Sequence, residues 1–321
     1  MELNSILGPV QEELNQFEKR FDQVLSSDSE IIYEISQHLL KTRGKRLRPA
    51  SVLLCARACG LNSEVSLEPA LAIELIHTAT LLHDDVIDES AVRRGQHSVN
   101  RKWNNTVSIL MGDYLFAKAF KELVGMESSL LYSAISKSTE MVSIGQLDEI
   151  RETRNFNLGE EAYLRIITNK TASLFAAACQ AGSLLADAKY QPCMYEFGKT
   201  LGIAFQITDD LLDYVGSEKN TGKEVGKDLL DGKVTLPLIF ALQKAPDKEK
   251  TETLEFLQNG YDTAGFPRVS QFVEKWGGLE YSSRQAQSKA RQAAGCISAL
   301  PESRYKDSLH ALVKFAASRS Q

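Results

Sequence analysis

Residues 67–88 read Leu67-Glu68-Pro69-Ala70-Leu71-Ala72-Ile73-Glu74-Leu75-Ile76-His77-Thr78-Ala79-Thr80-Leu81-Leu82-His83-Asp84-Asp85-Val86-Ile87-Asp88. The stretch is apolar on most sides of a helical wheel, which predicts a helix at the centre of a protein rather than one on its surface. It ends in three carboxylates. Asp84 and Asp88 are four residues apart and stack on one helical face, while Asp85 stands about 100° round the axis. Like charges at that spacing cost an isolated helix roughly 0.2–0.5 kcal/mol per pair, and more where the face is buried, so a cationic partner is required.

The same comb returns far along the chain, in Gln206-Ile207-Thr208-Asp209-Asp210-Leu211-Leu212-Asp213, again after apolar sequence (Leu201-Gly202-Ile203-Ala204-Phe205). One acidic run alone is ordinarily a solvated face; two combs of the same form in apolar surroundings point to a shared task. Hard divalent cations take oxygen ligands, and magnesium is usually held by one or two carboxylates together with the oxygens of a substrate phosphate. Two facing combs could therefore grip one diphosphate through shared ions.

Outward from the combs the helical period continues. Val107, Leu110, Met111, Tyr114 and Leu115 fit the i, i+3, i+4, i+7, i+8 template. Residues 171–186 are uncharged, too short to span a bilayer and interrupted by Ser173, Gln180 and Ser183, and they read as a core helix. The expected fold is all-α, one domain over residues 1–321, since neither a solenoid repeat nor a low-complexity linker divides it. A net charge of −5 argues against a nucleic-acid partner. Met1-Glu2-Leu3-Asn4-Ser5 carries acid where a signal peptide carries base, so a cytoplasmic location is expected. Five cysteines without a C-x-x-C pair argue against a disulfide framework or a structural zinc; Cys55 and Cys59 read as packing residues.

Two segments read as non-helical, 89–105 with Arg93-Arg94-Gly95, and 216–232 with Gly222-Lys223, Gly226-Lys227 and, at its end, Gly232-Lys233. Each directly follows a comb. Glycine permits close backbone approach and lysine supplies a mobile charge, a combination suited to loops over phosphates. Gly44-Lys45-Arg46-Leu47-Arg48-Pro49 places three cations before an apolar helix. Cations at a helix start oppose the macrodipole unless an anion lies between, and Lys45 and Arg48 can converge on one while Arg46 points elsewhere. His77 lies nearly two turns before Asp84 on the same stripe. Lys170-Thr171 opens the uncharged helix, and Gln206 shares a seam with Asp210 and Asp213, so each could offer a donor to the second comb's ligand.

These residues in this order resemble the all-trans polyprenyl diphosphate synthases, the class I isoprenoid chain-elongating enzymes, most closely the long-chain octaprenyl type. The resemblance runs from Gly44 through Pro237 and includes Gly112-Asp113-Tyr114-Leu115, Gly145-Gln146 and Thr235-Leu236-Pro237. It implies an antiparallel helical bundle around a central cavity, normally a homodimer. It implies that Asp84, Asp88 and Asp209, with Asp213, hold magnesium, three ions when substrate is bound, and that Asp85 and Asp210 assist directly or through water. Arg93, Lys170, Thr171, Gln206, Lys223 and Lys233 would hold the allylic diphosphate, and Lys45, Arg48, His77 and Arg94 isopentenyl diphosphate. Arg319 resembles a C-terminal arginine that caps the second site in some members.

In that family bulky aromatics just before the first comb stop growth early. Here those positions are Ala79 and Thr80, both small, which implies a deep tunnel and a long product, octaprenyl or similar, for membrane enzymes of quinone synthesis. Leu123 or Ile135 is a candidate floor. A geranylgeranyl-to-heptaprenyl synthase, a metal phosphohydrolase, a terpene cyclase and a non-catalytic partner subunit are the alternatives. A phosphohydrolase leaves the second comb and residues 44–49 unexplained. A cyclase usually has a different second metal motif, and a non-catalytic subunit should have lost ligands that this chain keeps.

Overall fold

The computed structural model of the protein describes residues 2–41, 43–64, 66–215, 225–260 and 263–318; Gly222, Lys223 and Arg319 lie outside them. Among the described residues the architecture is helical. The main helices are α1 (Gln11–Leu25), α2 (Glu30–Lys41), α3 (Leu47–Ala58), α4 (Glu68–Ile87), α5 (Asn105–Val124), α6 (Ser129–Glu152), α7 (Glu160–Ile167), α8 (Ser173–Ala186), α9 (Gln191–Val215), α10 (Leu236–Lys244), α11 (Asp247–Gln258), α12 (Phe266–Lys275), α13 (Gly278–Cys296) and α14 (Arg304–Ser318). A two-stranded antiparallel hairpin, β1 (Val92–Arg93) and β2 (Gln96–His97), interrupts them. The all-α expectation holds, and no described helix is long and apolar enough to cross a membrane.

The chain forms two compact units, one from residues 1–139, 174–198 and 297–311, the other from 140–173, 199–296 and 312–321. In the first, α4 runs along α5. Leu53, Leu54, Leu71, Ile73, Leu75, Ile76, Leu115, Phe175 and Phe197 are fully buried there. That explains why α4 is apolar on most sides: neighbours surround it. Pro69 stands in its first turn, where no N–H is needed. Its last turn closes on Asp88, whose N–H donates to the Asp84 carbonyl at 2.8 Å, and Glu89 then turns the chain with φ +48°. Cys55 and Cys59 are buried thiols, as packing residues should be.

The segment after α4 is the hairpin followed by a helical turn, Val99–Lys102, which the sequence pattern did not announce. Arg94 and Gly95 both have positive φ, +51° and +76°, the backbone of a type I′ two-residue turn. Gly44 leaves room for the Arg94 guanidinium, the far end of a flexible side chain: a Cβ there would stand 2.7 Å from Nη2. In α5, Met111 and Leu115 are buried as expected, but Leu110 is 61% exposed. The periodicity is therefore split between core and surface.

The second unit packs Tyr163, Ile167, Ile203, Ile207, Leu236, Ile239 and Val273 into one core. Thr168–Ala172 is a π-helical turn between α7 and α8, with the Ser173 N–H bonded to the Thr168 carbonyl. Gly145 of α6 accommodates it, since a Cβ there would lie 2.4 Å from Lys170 N. The loop after α9 contains a short helix, Lys227–Leu230, within the segment expected to be non-helical.

Candidate active site

In the first unit the aspartate comb occupies the last turn of α4, the negative pole of the helix. Asp85 is buried and committed to Arg93, which reaches it with Nη2 at 2.7 Å and Nε at 2.8 Å. Asp84 and Asp88 are partly exposed. His83 is tied to α5 through the Ile109 carbonyl, 3.1 Å away. Carboxylate oxygens at a helix C-terminus are disfavoured twice over, by one another and by the dipole, and a hard divalent cation relieves both. The donor set therefore fits magnesium. Among the described residues no three His, Cys, Asp or Glu side chains form a ready-made cage, and an ion held jointly with a phosphate does not require one.

The basic motif lies at the start of α3. Arg46 has φ +50° and diverges from its neighbours: Nε donates to Glu18 at 2.7 Å, Nη1 to Glu74 at 2.6 Å, and the guanidinium lies 4.6 Å from the Phe21 ring centroid. Arg48 instead turns inward over Phe175, 4.6 Å from its ring centroid, and Nη1 donates to His77 Nε2 at 3.1 Å. Because guanidinium only donates, the His77 ring accepts and is neutral there. Burial, with the Arg48, Arg94, Arg93 and Arg46 charges, holds His77 well below the usual histidine range. Burial pulls Arg48 down to about 10 despite Glu74, so it stays charged at neutral pH. Its Nε is buried with no acceptor. A buried donor of a charged group left unmade is costly, and an anion beside it would satisfy it. A pocket of about 50 Å³ shares His77 with this pair, lined among others by Arg43, Arg46 and Arg94 but not by Arg48 itself.

In the second unit the comb lies toward the C-terminal end of α9. Asp210 is buried; it accepts from Tyr163 Oη at 2.5 Å and from Gln206 Nε2 at 2.7 Å. Burial, with Asp228 nearby, pushes its carboxyl up to about 8. Gln206 turns its other end to Thr171, which donates from Oγ1 at 2.8 Å. Asp213 accepts from the Lys227 and Asp228 N–H groups at 3.2 and 3.1 Å, which fixes the short helix against α9. Asp209 is partly exposed. Lys170, carried by the π turn, donates to Glu149 Oε2 at 2.5 Å, and Lys233 Nζ lies 3.9 Å from the same oxygen.

The structure thus gathers Arg48, His77 and Arg94 with Asp85 and Arg93 in one unit, and Lys170, Thr171, Gln206, Lys233 and the second comb in the other. Lys45 is exposed at the head of α3. Ala79, Leu123 and Ile135 are buried, and Thr80 turns its hydroxyl to the His77 carbonyl. Sequence reasoning missed Glu149, Tyr163 and Asp228. Glu149 stands one turn beyond Gly145 and could have been found that way; Tyr163 is 47 positions from Asp210, and nothing local announces it.

Residues 29–271 match the family model described as polyprenyl synthetase. The chain is 35% identical to the all-trans-nonaprenyl-diphosphate synthase (geranyl-diphosphate specific) of Rhodobacter capsulatus, covering 98% of each. It is 32% identical to the octaprenyl diphosphate synthase of Haemophilus influenzae, covering 99% of this chain and 97% of that one. The crystal structure of a polyprenyl synthase from Caulobacter crescentus CB15, complexed with calcium and isoprenyl diphosphate, superposes with a TM-score of 0.94 at 33% identity, over 100% of this chain and 98% of that one.

Proposed function

The chain belongs to the polyprenyl synthetase family and is a chain-elongating trans-prenyltransferase; from that premise we propose that it condenses isopentenyl diphosphate onto an allylic diphosphate, farnesyl or similar, to an all-trans octaprenyl diphosphate. One observation supports this most: each unit carries its own cationic group, Arg48 with its unsatisfied Nε in one, Lys170 and Lys233 on Glu149 in the other. A condensation of two diphosphates needs two seats. A phosphohydrolase or a cyclase needs one.

Asp84, Asp88, Asp209 and Asp213 would hold magnesium, with Asp85 and Asp210 in support. Magnesium, when bound, supplies Lewis-acid stabilisation of charge developing on the leaving diphosphate. The chain's own residues bind and orient. Lys170, Thr171, Gln206, Lys233 and Arg93, with Lys223, would hold the allylic diphosphate, and charge-assisted bonds to it strengthen as the carbon–oxygen bond breaks. Lys45, Arg48, His77 and Arg94 hold isopentenyl diphosphate so that its double bond meets the allylic cation. The double bond forms the new carbon–carbon bond, and the cation that results loses a proton to the departing diphosphate and regains an alkene, without a protein nucleophile or a covalent enzyme intermediate. We read the chain as one functional domain that works as a homodimer in the cytoplasm and passes its product to membrane enzymes. Ile109, Leu110, Val124, Leu130 and Tyr132 of the first unit, and Ile144, Leu147 and Ile150 of the second, are large exposed apolar residues that suit a second copy.

The small Ala79 and Thr80 support the long product. The test is to incubate the protein with farnesyl diphosphate, labelled isopentenyl diphosphate and magnesium and to size the products. Eight-unit chains are expected, shortened in Ala79→Tyr; no condensation at all overturns the activity, and an unchanged length in the variant overturns the role of Ala79.

A further inference from the structure

Glu149 has no part in the chemistry above, yet two of the second unit's cations converge on it. Two ammonium groups approach one carboxylate oxygen, Lys170 at 2.5 Å and Lys233 at 3.9 Å. The arrangement is built. Gly145, one turn earlier on α6, admits the backbone of the π turn, and the π turn in turn swings Lys170 over α6 at Glu149. The three side chains remain reachable from solvent, 22% exposed for Glu149, 19% for Lys170 and 20% for Lys233. A pair of lysines this close would repel one another in an empty seat, and the carboxylate removes that repulsion.

We propose that Glu149 is a surrogate anion: it occupies the lysines of the allylic seat between turnovers, is displaced by the incoming diphosphate, and retakes the lysines when pyrophosphate departs. It is a positioning residue, acting through Lys170 and Lys233. The inference rests on the reading of those lysines as diphosphate holders and adds to it a competitor inside the protein. Competition has a distinctive sign. Loss of a merely structural carboxylate loosens a site, whereas loss of a competing one tightens it for every anion that the lysines receive.

The test is calorimetric binding of inorganic pyrophosphate, at fixed magnesium, to the full chain and to Glu149→Gln, Glu149→Asp and Lys170→Met, with thermal midpoints recorded alongside. Glu149→Gln keeps the shape and removes the charge; its pyrophosphate affinity should rise about tenfold while kcat falls, as release slows. Glu149→Asp, which keeps the charge, should restore the affinity toward that of the parent. Lys170→Met should weaken binding. If Lys170→Met binds as the parent does, the diphosphate reading of the seat fails and the surrogate with it. If Lys170→Met weakens but Glu149→Gln binds pyrophosphate equally or more weakly, the seat stands and the surrogate role is overturned.

Discussion

His77 shows how much a single side chain can report about this protein. Its ring is buried, accepts from Arg48 and is surrounded by arginine charge, so its folded pKa lies well below the 6.5 of an ordinary histidine. In acid the unfolded chain takes up a proton that the native imidazole refuses. Stability from this group is therefore present above the unfolded pKa and is lost as pH falls toward the folded one. Between about pH 7.5 and 5.5 the denaturation midpoint of the parent should fall more steeply than that of His77→Gln; parallel slopes would contradict a neutral, buried ring. The sequence placed His77 on the stripe that leads to Asp84, but its neutrality comes first from burial and then from Arg48 and Arg94, which lie elsewhere in the chain. Arg46 was legible as a cation pointing away from Lys45 and Arg48, but neither its left-handed backbone nor its partners Glu18 and Glu74 were.

At the scale of elements, α4 and α5 were legible as helices because their apolar residues keep a helical spacing, and the combs because three carboxylates in apolar sequence demand an explanation. The π turn was not. Nothing in Thr168-Asn169-Lys170-Thr171-Ala172 distinguishes it from an α-helical turn, and its cause, the close approach of α6 at Gly145, is a tertiary one. Gly145→Ala forces a Cβ to within 2.4 Å of backbone, which cannot rotate away as a side chain can. Overpacking of this kind costs about 1–3 kcal/mol. The variant should lose that much in chemical denaturation and lose prenyl transfer more than stability alone accounts for, because Lys170 moves with the turn. Unchanged stability and turnover would show that the turn is not held there.

For the whole molecule, family membership follows from a match over nearly its full length, and the elongating activity follows from the family. The exposed face of α5 went unread in the sequence because Leu110 fits a helical core template as well as Met111 does; only packing separates them. With a second copy over it, Leu110→Glu should convert a dimer to monomers in sedimentation velocity, and a monomeric parent would contradict the dimer. If two anion seats divide the labour, paired substrate kinetics separate them. Charged hydrogen bonds of this kind contribute roughly 1.5–3 kcal/mol, so Arg48→Met should raise KM for isopentenyl diphosphate by about 10- to 150-fold and leave that for farnesyl diphosphate within about twofold. Lys170→Met should do the reverse. Equal rises for both substrates in both variants would contradict the account.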